Sequence, residues 1–300
     1  MPDPSIFTVT SPKITVPAGA CDCHTHLFGP AQRYSMKRDR VYTPADALPA
    51  DSKTMLATLG LERVVLVQAS VYGTDNRCLI DGLKVFGQAA RGVAVISPDI
   101  TDKELKDLHA VGVRGVRINI ASGHDKPVAE IAATMQLLAE RVSPFGWHLQ
   151  LFVRPHFLPE LEHISADMSV DIVIDHMGLV PAASYRGNVC FSALLSMLDS
   201  GRVWVKASGA YRVVEEQKEW GNVAPMAQAL IERRPDRIVW GSDWPHPPKH
   251  GLDAIDHGNI LPFRSLDTGL LLNLLADWSP DPEILKRILV SNPARLSGFD

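Results

Sequence analysis

Short apolar runs rich in Val and Ile alternate along this chain with longer stretches whose apolar residues recur at a helical period. The runs predict strands at Ala20–His24, Arg63–Ala69, Gly92–Ser97, Gly115–Ile120, His148–Val153, Asp171–His176, Val203–Ala207 and Arg237–Gly241. Helices are predicted between them, over Ser52–Leu59, Arg77–Ala90, Asp102–Val111, Ala129–Val142, Leu158–Ser165, Val189–Ser200 and Val223–Arg234. A closing pair is predicted over Leu266–Ala276 and Pro282–Leu289. Helix-start signals stand at Asp51-Ser52 and at Thr101-Asp-Lys-Glu104. Strands that alternate with helices form a parallel sheet, because parallel neighbours need a crossover connection. Eight such units predict an α/β fold of the (β/α)8 TIM-barrel type. It is expected to be a single domain over residues 20–300, with residues 1–19 as a tail along its surface. A doubly wound sheet would place a glycine-rich phosphate loop after its first strand, and His24-Thr-His26 stands there instead.

Composition narrows the class. Of 300 residues, 46% are hydrophobic and 21% charged, and the net charge of -4 with no Lys/Arg run argues against a nucleic-acid surface. No apolar run approaches the ~20 residues of a membrane span. Met1-Pro-Asp-Pro-Ser-Ile-Phe has neither the basic nor the apolar stretch of a secretion signal, and the four cysteines have no CxxC spacing. A cytoplasmic protein with reduced thiols is expected.

A barrel enzyme builds its site from the loops at the carboxyl ends of its strands. Those ends carry His24 and His26, Ser70, Asp99, Arg117 with Asn119, Phe152, His176, Ser208 with Arg212, and Asp243 with His246. Residues two apart on a strand share a side, so His24 and His26 are expected to project together with Asp22, while Cys21, Cys23 and Thr25 face away. Such a pair serves as a metal clamp or as two electrophilic donors. Taken singly, each residue has a plainer role: His176 as a packed core histidine, Asp243 as a cap, the arginines as members of structural ion pairs. Their meeting at one mouth is what singles them out. His148 begins its strand, on the stability face, and His109, His124, His163, His250 and His257 are expected in solvent.

With these residues placed, the chain resembles the amidohydrolase superfamily, in particular its branch containing 2-pyrone-4,6-dicarboxylate lactonase. The motifs are Asp22-Cys-His-Thr-His-Leu-Phe-Gly-Pro30, Tyr42-Thr-Pro, Val67-Gln-Ala-Ser-Val-Tyr-Gly-Thr-Asp-Asn76 and Gly115-Val-Arg-Ile-Asn119. Further along stand Ile174-Asp-His-Met-Gly178, Lys206-Ala-Ser-Gly-Ala-Tyr-Arg212, Gly241-Ser-Asp-Trp-Pro-His-Pro247 and Ser291-Asn-Pro-Ala-Arg-Leu296. The resemblance implies a lactone hydrolase that requires no metal. His24, His26 and His176 would surround the carbonyl oxygen, and Asp243 would be the general base acting on water. Tyr42, Arg117 and Arg212 would contact a small lactone bearing one or more carboxylates, with Ser70 and His246 beside them.

The pocket departs from that pattern. Gly123 and Leu179 stand where the branch carries arginines, and Phe152 where it carries a tyrosine. Lys126, His124, Arg154 or Arg186 are candidates to restore charge. An alternative reading places one Zn²⁺ on His24, His26, His176 and Asp243 for an amidohydrolase, lactonase or decarboxylase reaction. Arg117 stands where binuclear relatives place a bridging lysine, and its charge opposes a second metal. A barrel that only binds an acidic metabolite would lack part of this set, and all four residues are present.

Overall fold

A computed structural model of the chain describes residues 7–122, 126–248 and 259–299. Eight parallel strands follow one another in chain order around one sheet. They are β1 (Cys21–Thr25), β2 (Arg63–Val67), β3 (Ala90–Ala94), β4 (Val113–Asn119), β5 (His148–Phe152), β6 (Ile172–Ile174), β7 (Val203–Lys206) and β8 (Ile238–Val239). Backbone bonds from Cys23 N to Trp240 O (2.9 Å), Asp243 N to His24 O (2.8 Å) and His26 N to Trp244 O (2.8 Å) join the chain after β8 to β1. Asp22 braces the same seam, accepting from Ser242 N at 2.9 Å and Ser242 Oγ at 2.5 Å. The architecture is the (β/α)8 barrel that the alternation predicts, and all eight expected strands are present.

The strands are buried on both faces, which is why they read as nearly unbroken apolar runs. One apolar layer fills the barrel: Cys21, Cys23, Val65, Val67, Val93, Val173, Trp204 and Val239, with Phe299 beneath. The other lies between the strands and the surrounding helices. The expected facing of β1 needs correcting here. Between Asp22 and Thr25 the strand advances three residues while β2 advances two, from Val64 to Leu66. This bulge adds one residue and changes the side-chain phase. Cys21 and Cys23 therefore point into the barrel below, His24 and His26 point into its mouth above, and Asp22 goes to the seam instead of joining them.

Helix boundaries shift for local reasons. The helix Pro49–Leu59 begins at its proline, ahead of the expected Asp51-Ser52, and Asp51 accepts from Leu48 N at 2.8 Å. The helix Arg77–Phe86 stops at Gly87, whose φ of 61° leaves the helix, so β3 begins two residues earlier than expected. Asp102–Ala110 starts on the anticipated capping box, with Thr101 and Glu104 bonding each other's backbone. The closing helix Pro282–Lys286 continues through a π turn at Arg287–Ser291 into Asn292–Ser297. Thr43–Pro44 pairs with Ile260–Leu261, tying the loop after β1 to the loop after β8. Among the described residues no helix is long and apolar enough to cross a membrane.

Candidate active site

The carboxyl ends of β1, β6 and β8 bring three imidazoles around one carboxylate. Asp243 Oδ1 lies 3.7 Å from His24 Nε2 and 3.5 Å from His26 Nε2, and Oδ2 lies 3.6 Å from His176 Nε2. Two of these positions need unusual backbone: φ is 50° at His176 and 59° at Asp243. Left-handed conformations at non-glycine residues cost ~1–3 kcal/mol and cluster at functional sites. The turn after β7 accommodates this through Gly209, where a Cβ would come within 2.9 Å of His176 Nδ1.

The two oxygens of Asp243 differ. Oδ2 accepts from Tyr211 Oη at 2.5 Å, from Arg212 Nε at 2.6 Å and from Arg212 Nη2 at 2.6 Å. Oδ1 is buried, and among the described residues none donates a hydrogen bond to it. Burial alone would push this carboxyl up, but the Arg212 guanidinium, then His176, hold it well below the usual carboxylate range. Asp243 is therefore ionised, and its ability to take a proton is held down by its own partners.

The histidines are neutral for a shared reason. Burial pushes all three down: His24 far below its ordinary value with Lys206 adding to the effect, His26 below it, and His176 to about 4. His26 Nδ1 lies 2.8 Å from Val67 O, which can only accept, so this nitrogen carries the proton and Nε2 keeps its lone pair. His176 Nδ1 meets Ser208 Oγ at 2.9 Å, and with the hydroxyl as donor Nε2 carries the ring proton. His24 Nδ1 sits 3.2 Å from Asp175 Oδ1 and 3.1 Å from Lys206 Nζ.

Beneath the histidines lies a buried polar layer. Lys206 Nζ donates to Cys23 O at 2.9 Å and Gln150 Oε1 at 2.8 Å, and lies 3.3 Å from Asp175 Oδ1. Gln150 donates to Asp175 Oδ2 at 3.1 Å. Desolvation raises the Asp175 carboxyl, yet Lys206 and then His24 bring it well below its ordinary value. An unpaired charge here would cost several kcal/mol, so the group stands or falls as a unit.

Two chambers open above. His26, Tyr42, Ser70, Arg117, Asn119, Phe152 and Arg212 line the inner one. Arg117 donates to Gln68 O at 3.2 Å and lies over the Phe152 ring, 5.5 Å from its centroid. Leu179, Arg154, Tyr211 and Arg264 line an outer chamber of about 380 Å³, which shares Ser122, Phe152 and Arg212 with the inner one. Ser70, Tyr42, Arg117 and Arg212 thus stand where the sequence suggests. His246 stands behind Tyr211, edge-on to its ring at 5.7 Å, with Nε2 3.0 Å from Thr268 Oγ1. Asp99 is exposed on its loop, and His109, half-buried and accepting from Trp147 Nε1 at 2.9 Å, is not in solvent as expected. Of the candidates to restore charge, Arg154 reaches the outer chamber, Lys126 pairs with Glu130, and Arg186 lies over Tyr185. Gly123, His124, His250 and His257 lie outside the described residues.

Tyr211, Lys206, Asp175 and Gln150 escaped the sequence reading. Lys206 and Gln150 had a usable signal, since each interrupts an apolar strand with a polar residue that needs a buried partner. Tyr211 had only its place in the Lys206-to-Arg212 motif, with no role attached.

The residues also fit a single divalent cation. His24 Nε2 and His26 Nε2 are 3.2 Å apart, and the partnerless Asp243 Oδ1 completes the triangle at 3.7 and 3.5 Å. Zinc bonds of about 2.0–2.2 Å separate tetrahedral ligands by roughly 3.3–3.5 Å. Asp175 against His24 Nδ1 is the kind of outer carboxylate that orients a ligating imidazole. His176 is not part of this triangle, because its Nε2 faces Oδ2.

An amidohydrolase family model matches residues 21–299. A 2-pyrone-4,6-dicarboxylate hydrolase from Comamonas testosteroni is 35% identical over 298 residues, covering 96% of this chain and 92% of the relative. A 4-sulfomuconolactone hydrolase from Rhizobium radiobacter is 35% identical over 290 residues, covering 95% and 92%. An apo crystal structure from Agrobacterium tumefaciens superposes with a TM-score of 0.81 at 26% identity, covering 96% of this chain and 99% of its own.

Proposed function

The chain belongs to the amidohydrolase family, and we propose that within it the protein opens a carboxylate-bearing lactone by water attack. The observation that carries this reading is the divided Asp243 carboxylate. One oxygen is clamped by Tyr211 and Arg212, and the other is buried, ionised and without a donor, facing the imidazoles. Two relatives with lactone hydrolase names match over nearly the whole chain.

Asp243 Oδ1 receives a proton from water as the water oxygen bonds to the acyl carbon. His176 donates from Nε2 to the oxyanion, and Arg117 and Tyr42 add charge and a hydroxyl at the inner chamber. His26, with Nδ1 committed to Val67 O, serves as an acceptor at Nε2 and not as a donor. As the tetrahedral centre collapses, the ring C–O bond breaks and the proton on Asp243 passes to the departing oxygen. Ser70 lies beside the ring, and His246 holds Tyr211 in place.

Arg212 links binding to basicity. A substrate carboxylate that draws its guanidinium away removes the strongest counter-charge from Asp243. The base strengthens as the substrate arrives.

The metal-free form is favoured by charge. Two buried cations, Lys206 and Arg117, and the partly exposed Arg212 already face the buried carboxylates Asp175 and Asp243. The triangle of His24, His26 and Asp243 favours a second reading, in which these residues hold one Zn²⁺. Such an ion supplies Lewis-acid polarisation of the carbonyl and lowers the pKa of water. The free cysteines fit the expected cytoplasmic location. Pyrone, muconolactone and sugar lactones assayed with and without chelator, alongside metal analysis, test these readings together. Chelator-resistant lactonase activity by metal-free protein is expected. Activity lost on chelation and restored by Zn²⁺ selects the second reading, and no turnover of any lactone overturns both.

A further inference from the structure

Each hydrogen of the buried Lys206 ammonium has its own partner, and this fixes the histidine above it. Lys206 Nζ contacts Cys23 O at 2.9 Å, Gln150 Oε1 at 2.8 Å and His24 Nδ1 at 3.1 Å. Cys23 O can only accept. Gln150 Nε2 donates to Asp175 Oδ2 at 3.1 Å, so its Oε1 is the atom that meets Lys206. The Asp175 carboxylate, 3.3 Å from Nζ, favours the charged amine, which has three hydrogens for three partners. The third hydrogen therefore goes to His24 Nδ1, which accepts, and the ring proton of His24 sits on Nε2. The opposite edge of the ring gives the same answer independently. His24 Nε2 is 3.2 Å from His26 Nε2, and His26 holds its own proton on Nδ1 against Val67 O. Two lone pairs at that distance would repel, so His24 Nε2 is the donor. Lys206, His24, His26 and Val67 O thus form one chain of hydrogen bonds that all point the same way. Asp175 Oδ1 also lies 3.2 Å from His24 Nδ1, yet it takes no hydrogen bond from any described residue.

We propose that Lys206 is a positioning residue that fixes which nitrogen of His24 carries the proton, and so decides between the two chemistries open to this site. With Lys206 in place, His24 presents an N–H to the reacting space and lacks the lone pair that a cation would need there. His24 can join His26 and Asp243 around a cation only after its proton moves from Nε2 to Nδ1. Asp175 Oδ1 is the acceptor that waits for it. Lys206 then loses its third partner in a buried place, and that cost opposes the cation. The same Nε2–H, shared with a carbonyl oxygen, is a second donor beside His176. That last role rests on the lactonase reading above, whereas the tautomer rests on the hydrogen bonds alone.

Nitrogen NMR of chelator-treated protein labelled at its histidine rings reads the tautomer directly, with His24 identified by its absence from a His24→Gln spectrum. Wild-type His24 is expected to carry its proton on Nε2. Lys206→Met removes the donor, and the proton should pass to Nδ1 against Asp175. Titration with Zn²⁺, followed by calorimetry, gives a second readout that needs no turnover. Lys206→Met is expected to bind Zn²⁺ about tenfold or more tightly than wild type. Adding His24→Gln to that variant should abolish the gain, which places the ion on His24. Circular dichroism and melting temperature confirm that each variant is folded. Wild-type His24 protonated on Nδ1 overturns the proposal, and that measurement needs no Lys206 variant. A folded Lys206→Met protein overturns it too if His24 keeps its proton on Nε2 or if Zn²⁺ affinity stays at the wild-type level. Unreacted lactones with the tautomer and the Zn²⁺ response as expected would count against the lactonase reading alone.

Discussion

Asp243 is pulled in two directions. Its Oδ2 accepts three donors from Tyr211 and Arg212, which keeps the group ionised but a weak base, and its Oδ1 faces the reacting space with no donor. Asp243→Asn keeps the shape and an oxygen for Arg212 but removes the proton acceptor. Turnover should fall by ~10²–10⁴ with the far-ultraviolet spectrum unchanged, and a variant with full kcat would remove Asp243 from the mechanism. The pH profile tests the Arg212 link. In the free enzyme Asp243 titrates well below the ordinary range and His176 at about 4, so the acid limb of kcat/KM belongs near or below pH 4. The limb of kcat reports the complex, where Arg212 is shared with the substrate, so it should lie at higher pH. If the two limbs coincide, Arg212 stays on Asp243 throughout.

At the scale of elements, the site depends on how closely β8 and β1 approach. Gly241 passes His24 so tightly that a Cβ would come within 2.5 Å of His24 Cβ. Gly241→Ala must push the seam apart and move His24, at a cost of ~1–3 kcal/mol in urea unfolding and with a fall in kcat. Gly221, whose Cβ would meet nothing within 4 Å, is the matched control and should be neutral or slightly stabilised as Ala. The strands themselves were legible because a barrel strand is buried on both faces and its composition says so. The bulge in β1 was not, because the extra residue is defined by pairing with Arg63–Leu66, far along the chain. A strictly alternating β1 therefore gave the correct facing for His24 and His26 but the wrong one for Cys21, Cys23 and Asp22. Gln150 and Lys206 each signal a buried partner, but which partner was hidden for a related reason: Gln150, Asp175 and Lys206 satisfy one another from different strands. Arg264 lies in the connection beyond β8, where periodicity carries no information.

The barrel as a whole buries, among the described residues, five histidines whose protonation it resists: His24, His26, His148, His176 and His246. Burial is the leading cause for each, holding His148 at about 3 and His176 and His246 at about 4, with His24 and His26 also lowered. In the unfolded chain these groups titrate near ~6.5. Above that pH both states hold the imidazoles neutral. As pH falls from about 6.5 toward 4, the unfolded state binds protons that the folded state refuses, so folding stability drops. Asp22, which burial raises, opposes this trend by taking up its proton in the folded state first, and its single group is outweighed by five imidazoles. Asp175 and Asp243 are depressed below 3.8, so the stability they contribute is lost only under more acid conditions. Urea midpoints should therefore be flat above about pH 7 and fall steeply between pH 6.5 and 4. His148 lies below the chemistry, its ring against Gly115, so it separates stability from function. His148→Gln removes one titrating group, worth on the order of 4 kcal/mol at the acid end, and should flatten the slope while leaving kcat unchanged. A stability profile that stays level from pH 7 to 5 would mean that the barrel tolerates charged imidazoles. The neutral histidines assigned to the active site would then lose their basis as well.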